Sequence, residues 1–388
     1  MSENRHSPGE LKQYQSLSLE SKIILTQQRI KAWYESWTRF EIYDKETGKT
    51  RFVTYDTRDY GEPPLKETEW IERAWPGAVY VSFSGGKDST VLKHIVDSMY
   101  GDVPALFVNT GLEYPEIQKF AMSQKNVVTV RPEMRFDEVI KEFGYPVIGK
   151  EVAQTVYEAR KYAKAGKYKR QLQKLNGELL DNSGKPSRFN IPKYKYLLES
   201  PFLVSHKCCD VMKKKPAKQY EKQTGRMAMI ATMANESALR HTKWIRYGCN
   251  SFETKRPTSQ PLSFWTEQDI LHYIKKYDVP YCSVYGDIVT RDEDGNEYEA
   301  SFEYLDLFNG LGEETKLHTT GCNRTGCIFC GFGCHLEKEP NRFQQLKETH
   351  PRQYNYCING GEMVDGKWQP NKEGLGLGRV LDYIGVKY

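Results

Sequence analysis

The chain is 388 residues long, with 56 Lys plus Arg against 51 Asp plus Glu, a formal charge of +5. That length allows one large domain or two to three smaller ones with ample core, and no run approaches the roughly 18 apolar residues of a membrane span. The N-terminal residues lack an apolar h-region, so a cytoplasmic protein is expected, and nine cysteines are too few for a disulfide scaffold of this length.

Residues 1–10 are polar and predicted to fray. Ser18 is placed to cap a first helix running to about Trp37, with Ile23, Ile24, Ile30, Trp33 and Trp37 near helical spacing. Phe40 to Thr57 reads as a hairpin turning at Lys-Glu-Thr-Gly-Lys. Ala78–Phe83 is a short apolar strand that passes through Ser-Gly-Gly-Lys-Asp-Ser into a helical pattern over Thr90–Met99. Val103–Val108 and Val127–Val130 read as further strands, with a helix over Tyr114–Met122 between them. This alternation predicts an α/β fold with a doubly wound, mostly parallel sheet. Residues 155–196 break the rhythm. Arg160, Lys161, Lys164, Lys167, Lys169, Arg170 and Lys174 are interleaved there with Tyr157, Tyr162 and Tyr168, followed by Tyr194 and Tyr196. The stretch reads either as a nucleic-acid contact, rings stacking on bases, or as a solvated lysine-rich face. Met227–Thr232 resumes the strand pattern. Thr266-Glu-Gln-Asp269 is a capping box opening a helix, and Ser283–Tyr304 reads as a second hairpin. The pattern divides the chain into 1–75 (helix plus hairpin), 76–280 (α/β domain with the basic insertion 155–196) and 281–388 (hairpin and cysteine cluster).

Two stretches carry chemistry. Ser84-Gly85-Gly86-Lys87-Asp88-Ser89 lies between a strand and a helix. Paired glycines let backbone N–H groups close on an anion, the helix N-terminus adds positive potential, Lys87 neutralises phosphate, and Ser84 and Ser89 offer hydroxyls. The spacing matches neither a Walker A loop nor the dinucleotide fingerprint. Asp88 either orients Mg²⁺ or the loop, or caps the following helix. The second stretch is Cys322-x4-Cys327-x2-Cys330-x3-Cys334. Thiolates on Gly-rich loops converge readily on a metal, and the x4-x2 spacing is one used for iron–sulfur centres, while all-sulfur ligation also suits Zn²⁺.

The loop after an apolar strand resembles the PP-loop of the adenine nucleotide α-hydrolase-like superfamily, and within it the phosphoadenosine phosphosulfate (PAPS) reductase family. Asn109-Thr110-Gly111-Leu112-Glu113-Tyr114-Pro115-Glu116, Lys207-Cys208-Cys209 with Lys213–Pro216, Glu236-Ser237 with Arg240, and Pro261-Leu262 with Trp265 and Asp269 add to the resemblance in family order. The resemblance implies an adenine nucleotide, ATP with Mg²⁺ or a sulfonucleotide, held by Ser84–Ser89, Asn109, Thr110, Gly111, Glu113 and Arg240, with Lys87 and Asp88 catalytic. It also implies a [4Fe–4S] cluster, for which Cys209, Cys322, Cys327 and Cys330 are the first choices, Cys208 and Cys334 the alternates, and Zn²⁺ the alternative metal. Family reductases carry a C-terminal Glu-Cys-Gly-Leu-His segment whose thiol attacks the sulfonucleotide. This chain has none. The expected function is therefore ATP-dependent sulfur transfer to tRNA or DNA, with a sulfur donor protein as a further partner. The alternatives are a PAPS or adenylyl-sulfate reductase using Cys357, and a non-catalytic nucleotide or redox sensor.

Overall fold

The computed structural model describes residues 5–58, 61–162, 169–291, 297–299 and 316–388. They form two units. One comprises residues 1–108, 114–130 and 217–325, and the other 109–113, 131–216 and 326–388.

The first unit opens with α1 (Pro8–Gln15) and α2 (Leu19–Ser36). The N-terminal residues expected to fray are ordered from Pro8 because Ser7 and Glu10 close a capping box and Leu11 is buried. Ser18 caps α2 as its hydroxyl position predicts. The expected hairpin is β1 (Trp37–Asp44) with β2 (Lys49–Asp56), and β1 takes a third partner, β3 (Glu69–Pro76), on its other edge. The central sheet follows. Strand β4 (Val79–Phe83) leads to α3 (Lys87–Met99), β5 (Ala105–Val108) to α4 (Pro115–Ser123), then β6 (Val127–Val130).

In the second unit lie α5 (Phe136–Phe143), β7 (Val147–Ile148), α6 (Lys150–Tyr162) and α7 (Lys169–Asn176). The chain returns to the first unit through α8 (Lys215–Thr224) into β8 (Met227–Ile230), α9 (Ala238–Tyr247), β9 (Asn250–Ser251), β10 (Thr258–Ser259) and α10 (Glu267–Lys276). The sheet order is β6-β5-β4-β8-β10-β9, parallel except at β9. The order reverses between β4 and its neighbours β5 and β8, so the carboxyl end of β4 is where an open α/β sheet binds ligands. The β4 side chains are nearly all buried, as a strand covered on both faces requires. Val81, Phe83, Val91, Ile95, Met229 and Trp265 belong to one core. The second expected hairpin is seen as β11 (Ile288–Arg291) pairing with β12 (Glu297–Glu299). Its turn at residues 292–296 lies outside the described residues.

Candidate functional site

The loop after β4 has the backbone its glycines allow. Gly85 has φ of +74°, and a Cβ there would meet Ile117 Cγ2 at 3.0 Å and Ala121 Cβ at 3.2 Å. Both conformation and packing demand glycine. Gly86 caps α3 without a side-chain bond, which leaves the helix start open to an anion. Ser84 and Ser89 bond to each other through their hydroxyls at 3.0 Å, and Ser84 N–H donates to Ser89 Oγ at 3.2 Å. Tyr285 braces the turn, its hydroxyl accepting from Lys87 N–H at 3.3 Å and lying 2.6 Å from Thr325 Oγ1.

Charges gather at this helix start. Lys87 is buried, and its ammonium donates to the Asn323 carbonyl at 2.8 Å and pairs with Glu267 at the first turn of α10. Asp88 Oδ1 is shielded from solvent and has no hydrogen-bond partner among the described residues. Burial raises the Asp88 pKa, against the pull of Lys87, Arg324 and Arg240. Arg240 and Arg324 both pair with Glu236, the latter at 3.2 Å. Burial and the nearby Arg324 guanidinium lower the Arg240 pKa. Two guanidiniums held against one carboxylate leave cationic capacity unspent, which is the electrostatics of a polyanion site.

The segment Asn109–Glu113, in the second unit, folds on itself. Glu113 Oε2 accepts from Thr110 N–H at 3.1 Å and Oε1 from the Thr110 hydroxyl at 2.7 Å, while Asn109 Oδ1 accepts from Gly111 N–H at 3.2 Å. Glu113 is buried and faces the Lys213 ammonium at 3.9 Å. The Leu112 carbonyl accepts from Ile328 N–H at 2.8 Å, fixing the loop between Cys327 and Cys330 to this segment.

The same unit gathers four thiols. Cys208 and Cys209 precede a π-type turn over Asp210–Lys214, and their sulfurs are 3.9 Å apart. The hydrogen bond from Cys208, with Lys150 and Lys213 nearby, lowers the Cys209 pKa to about 6 against the opposing effect of burial. Cys208 is pushed up by that bond, by burial, and by Cys209, Cys330 and Cys327. Burial raises Cys327 to about 11, partly offset by Lys213, and raises Cys330. Cys208, Cys209, Cys327 and Cys330 thus form one electrostatically interacting set with Lys213. Cys334 is buried and donates to the Gly331 carbonyl at 3.0 Å. Cys322 belongs to the first unit, where it interacts with Tyr114, Glu116 and Cys282. Among the described residues no three His, Cys, Asp or Glu side chains are arranged to hold a metal ion.

Two expectations change in detail. Arg160, in the basic stretch, spends its guanidinium on the carbonyls of Leu198, Ser200 and Phe202, and Lys174 pairs with Glu151. Lys164, Lys167 and Tyr168 lie outside the described residues. Cys357, the thiol a reductase would need, is fully buried in the helix Pro351–Ile358, and burial pushes its pKa far up. Sequence reasoning missed Glu267, Tyr285 and Arg324. The first sits inside a capping box, and Arg324 was hidden in the spacing between Cys322 and Cys327.

A mostly parallel sheet with a glycine turn at the reversal of strand order makes this an α/β protein. The family model for the phosphoadenosine phosphosulfate reductase domain matches residues 78–181 and 184–331, and the chain belongs to that family. Among solved structures it is similar to the phosphoadenylyl-sulfate (PAPS) reductase from Candida auris in its phosphate complex. That match has 15% identity over 54% of this chain and 76% of the other, with a TM-score of 0.29. No curated protein matches, and no described helix is long and apolar enough to cross a membrane.

Proposed function

We propose that the chain binds MgATP at the Ser84–Ser89 turn and activates an acceptor, a tRNA or DNA strand, for sulfur transfer. The observation that carries this reading is Asp88. A shielded carboxylate oxygen without a partner, set among Lys87, Arg240 and Arg324, suits a nucleotide that arrives with its own divalent cation. In this mechanism the turn's amides and Lys87 hold the β- and γ-phosphates, with Arg240 and Arg324 released from Glu236 to offset charge. An acceptor oxygen attacks the α-phosphorus, the bond to the bridging oxygen breaks, and pyrophosphate leaves with the electron pair. A sulfur nucleophile delivered by the donor protein then displaces AMP from the activated atom.

Cys208, Cys209, Cys327 and Cys330 are the residues that would hold an iron–sulfur cluster. Four thiols with Lys213 among them match its donor chemistry. Bound there, a cluster supplies a redox and sulfur-holding centre. All-sulfur ligation suits Zn²⁺ as the alternative metal. Anaerobic purification with iron, sulfide and zinc analysis decides between them.

The assay for the main reading is pyrophosphate release from MgATP, set against sulfite release from PAPS and adenylyl sulfate. Pyrophosphate without sulfite is expected. Sulfite from either sulfonucleotide, lost in Cys357→Ser, would establish the reductase reading instead.

A further inference from the structure

The three-stranded sheet β2-β1-β3 precedes the family-matched region, which begins at residue 78. Its two faces differ sharply. On β1, Phe40 and Ile42 point inward and are buried, while Arg39, Glu41 and Tyr43 alternate to the other side. Register places Thr54, Phe52 and Thr50 of β2, and Trp75, Arg73 and Trp70 of β3, opposite those three. The outer face therefore carries four aromatic rings, two arginines, two threonines and one glutamate, and no aliphatic side chain. Phe52, Trp70 and Trp75 are 53%, 44% and 36% exposed.

The rings and cations are organised. The Arg39 guanidinium lies 4.4 Å from the Phe52 ring centre and 5.7 Å from that of Trp75, and Arg73 lies 5.5 Å from Trp75. Phe52 and Trp75 approach to 6.3 Å across the central strand. Tyr43 and Trp70 form a second pair at 4.9 Å. Phe52 stands level with Glu41 and Trp75 with Arg39, so their pair is centred about three residues, or about 10 Å, from the Tyr43–Trp70 pair, about three steps of a stacked strand at 3.4 Å each. Neither arginine makes an ion pair among the described residues. Two unpaired guanidiniums in such a face disfavour a dry protein contact, which would have to desolvate them, and suit a polyanion.

We propose that this face is a stacking platform for a single-stranded nucleic acid, bases lying on Phe52, Trp75, Tyr43 and Trp70 and phosphates meeting Arg39 and Arg73. It supplies a partner for the activity proposed above. It rests on that reading for the chemistry, but the binding stands alone. Nine residues of chain join Trp75 to Ser84, a reach of at most about 30 Å. A strand of about nine or more stacked nucleotides is long enough to engage both.

The test is fluorescence anisotropy with labelled 15-mer oligouridylate, 15-mer oligothymidylate and a 15-base-pair duplex. Both single strands should bind at least tenfold more tightly than the duplex. Phe52→Ala with Trp75→Ala should weaken binding by tenfold or more, as loss of base stacking does. Arg39→Ala with Arg73→Ala should flatten the salt dependence by about 1.4 in log–log slope. Strand binding is measured in the parent protein without MgATP, and pyrophosphate release without a strand, so failure of nucleotide chemistry and failure of the platform read separately. If the alanine pair misfolds by circular dichroism, Phe52→Leu with Trp75→Leu replaces it, keeping apolar bulk without the ring. Equal binding of duplex and single strands, or unchanged binding in folded ring variants, overturns the proposal. So does a dimer of the parent protein in sedimentation that the ring variants dissolve while still binding the strands, which would make the face a contact between copies.

Discussion

Asp88→Asn isolates the electrostatics of the turn. Asp88 Oδ1 is shielded and has no hydrogen-bond partner among the described residues, and burial raises the carboxyl pKa above its ordinary 3.8 despite three nearby cations. The folded protein then holds this proton more tightly than the unfolded chain does. The cost of keeping the group ionised is absent below the unfolded pKa. It grows as pH rises towards the folded pKa and is constant above it. An amide of the same shape removes the charge, so Asp88→Asn should stabilise the nucleotide-free protein at neutral pH. An unsatisfied buried group costs about 1–3 kcal/mol and more when charged; the amide keeps the first cost and loses the excess, a gain of the same order at most. With unfolding entropy near 2.1 cal/mol/K per residue, that becomes a rise of about 1–4 °C for a chain of this size. The assay is thermal denaturation from pH 4 to 8, with and without MgATP. The gain should shrink towards pH 4, and MgATP should raise the parent's Tm and the variant's far less. A variant less stable than its parent at neutral pH, or a gain independent of pH, would refute the reasoning.

Lys87→Ala should reduce pyrophosphate release about 10²–10³-fold, the usual loss for one transition-state donor, with the circular dichroism spectrum unchanged; release at the parental rate would remove Lys87 from the mechanism. In metal-free protein, iodoacetamide should label Cys209 at a rate that rises through pH 6 and levels off above it, while Cys357 stays unlabelled until unfolding; peptide mass spectrometry reads both, and a Cys209 rate still climbing at pH 8.5 would contradict its lowered pKa. Serine at Cys208, Cys209, Cys327 or Cys330 should each lower bound iron, whereas Cys322→Ser should retain it; loss of iron in Cys322→Ser would restore the ligand set that spacing alone suggests.

The central fold was legible because its signals are local. β4 is a run of buried residues bounded by glycines, α2 begins at a capping serine, and α10 begins at a capping box. β3 was not legible. Its outward residues include Trp70, Arg73 and Trp75, a bulge shifts its register near Glu41, and no tight turn joins it to the hairpin. Pairing across that distance is decided by the free edge of β1, which no window of sequence contains. Helix α1 was missed for a related reason. Eight polar-rich residues are too short to persist alone, and Leu11 gains its burial only from the assembled core.

The functional residues divide along the same line. The turn at Ser84–Ser89 is contiguous, so sequence names it, but the groups that set its charge arrive from Glu236, Arg240, Glu267 and Arg324. The cysteines show what spacing leaves out. Cys322 and Cys327 stand five residues apart, yet they fall in different units, and the thiols that share an electrostatic environment with Cys327 are Cys208 and Cys209, well over a hundred residues earlier. Regular spacing says only that ligands can converge; burial and charge say which thiols share an environment. Lys213 carries that information, because one ammonium that answers Glu113, Cys209 and Cys327 at once ties the three segments together. Replacing it with methionine should therefore raise the Cys209 pKa and lower metal content without altering any thiol.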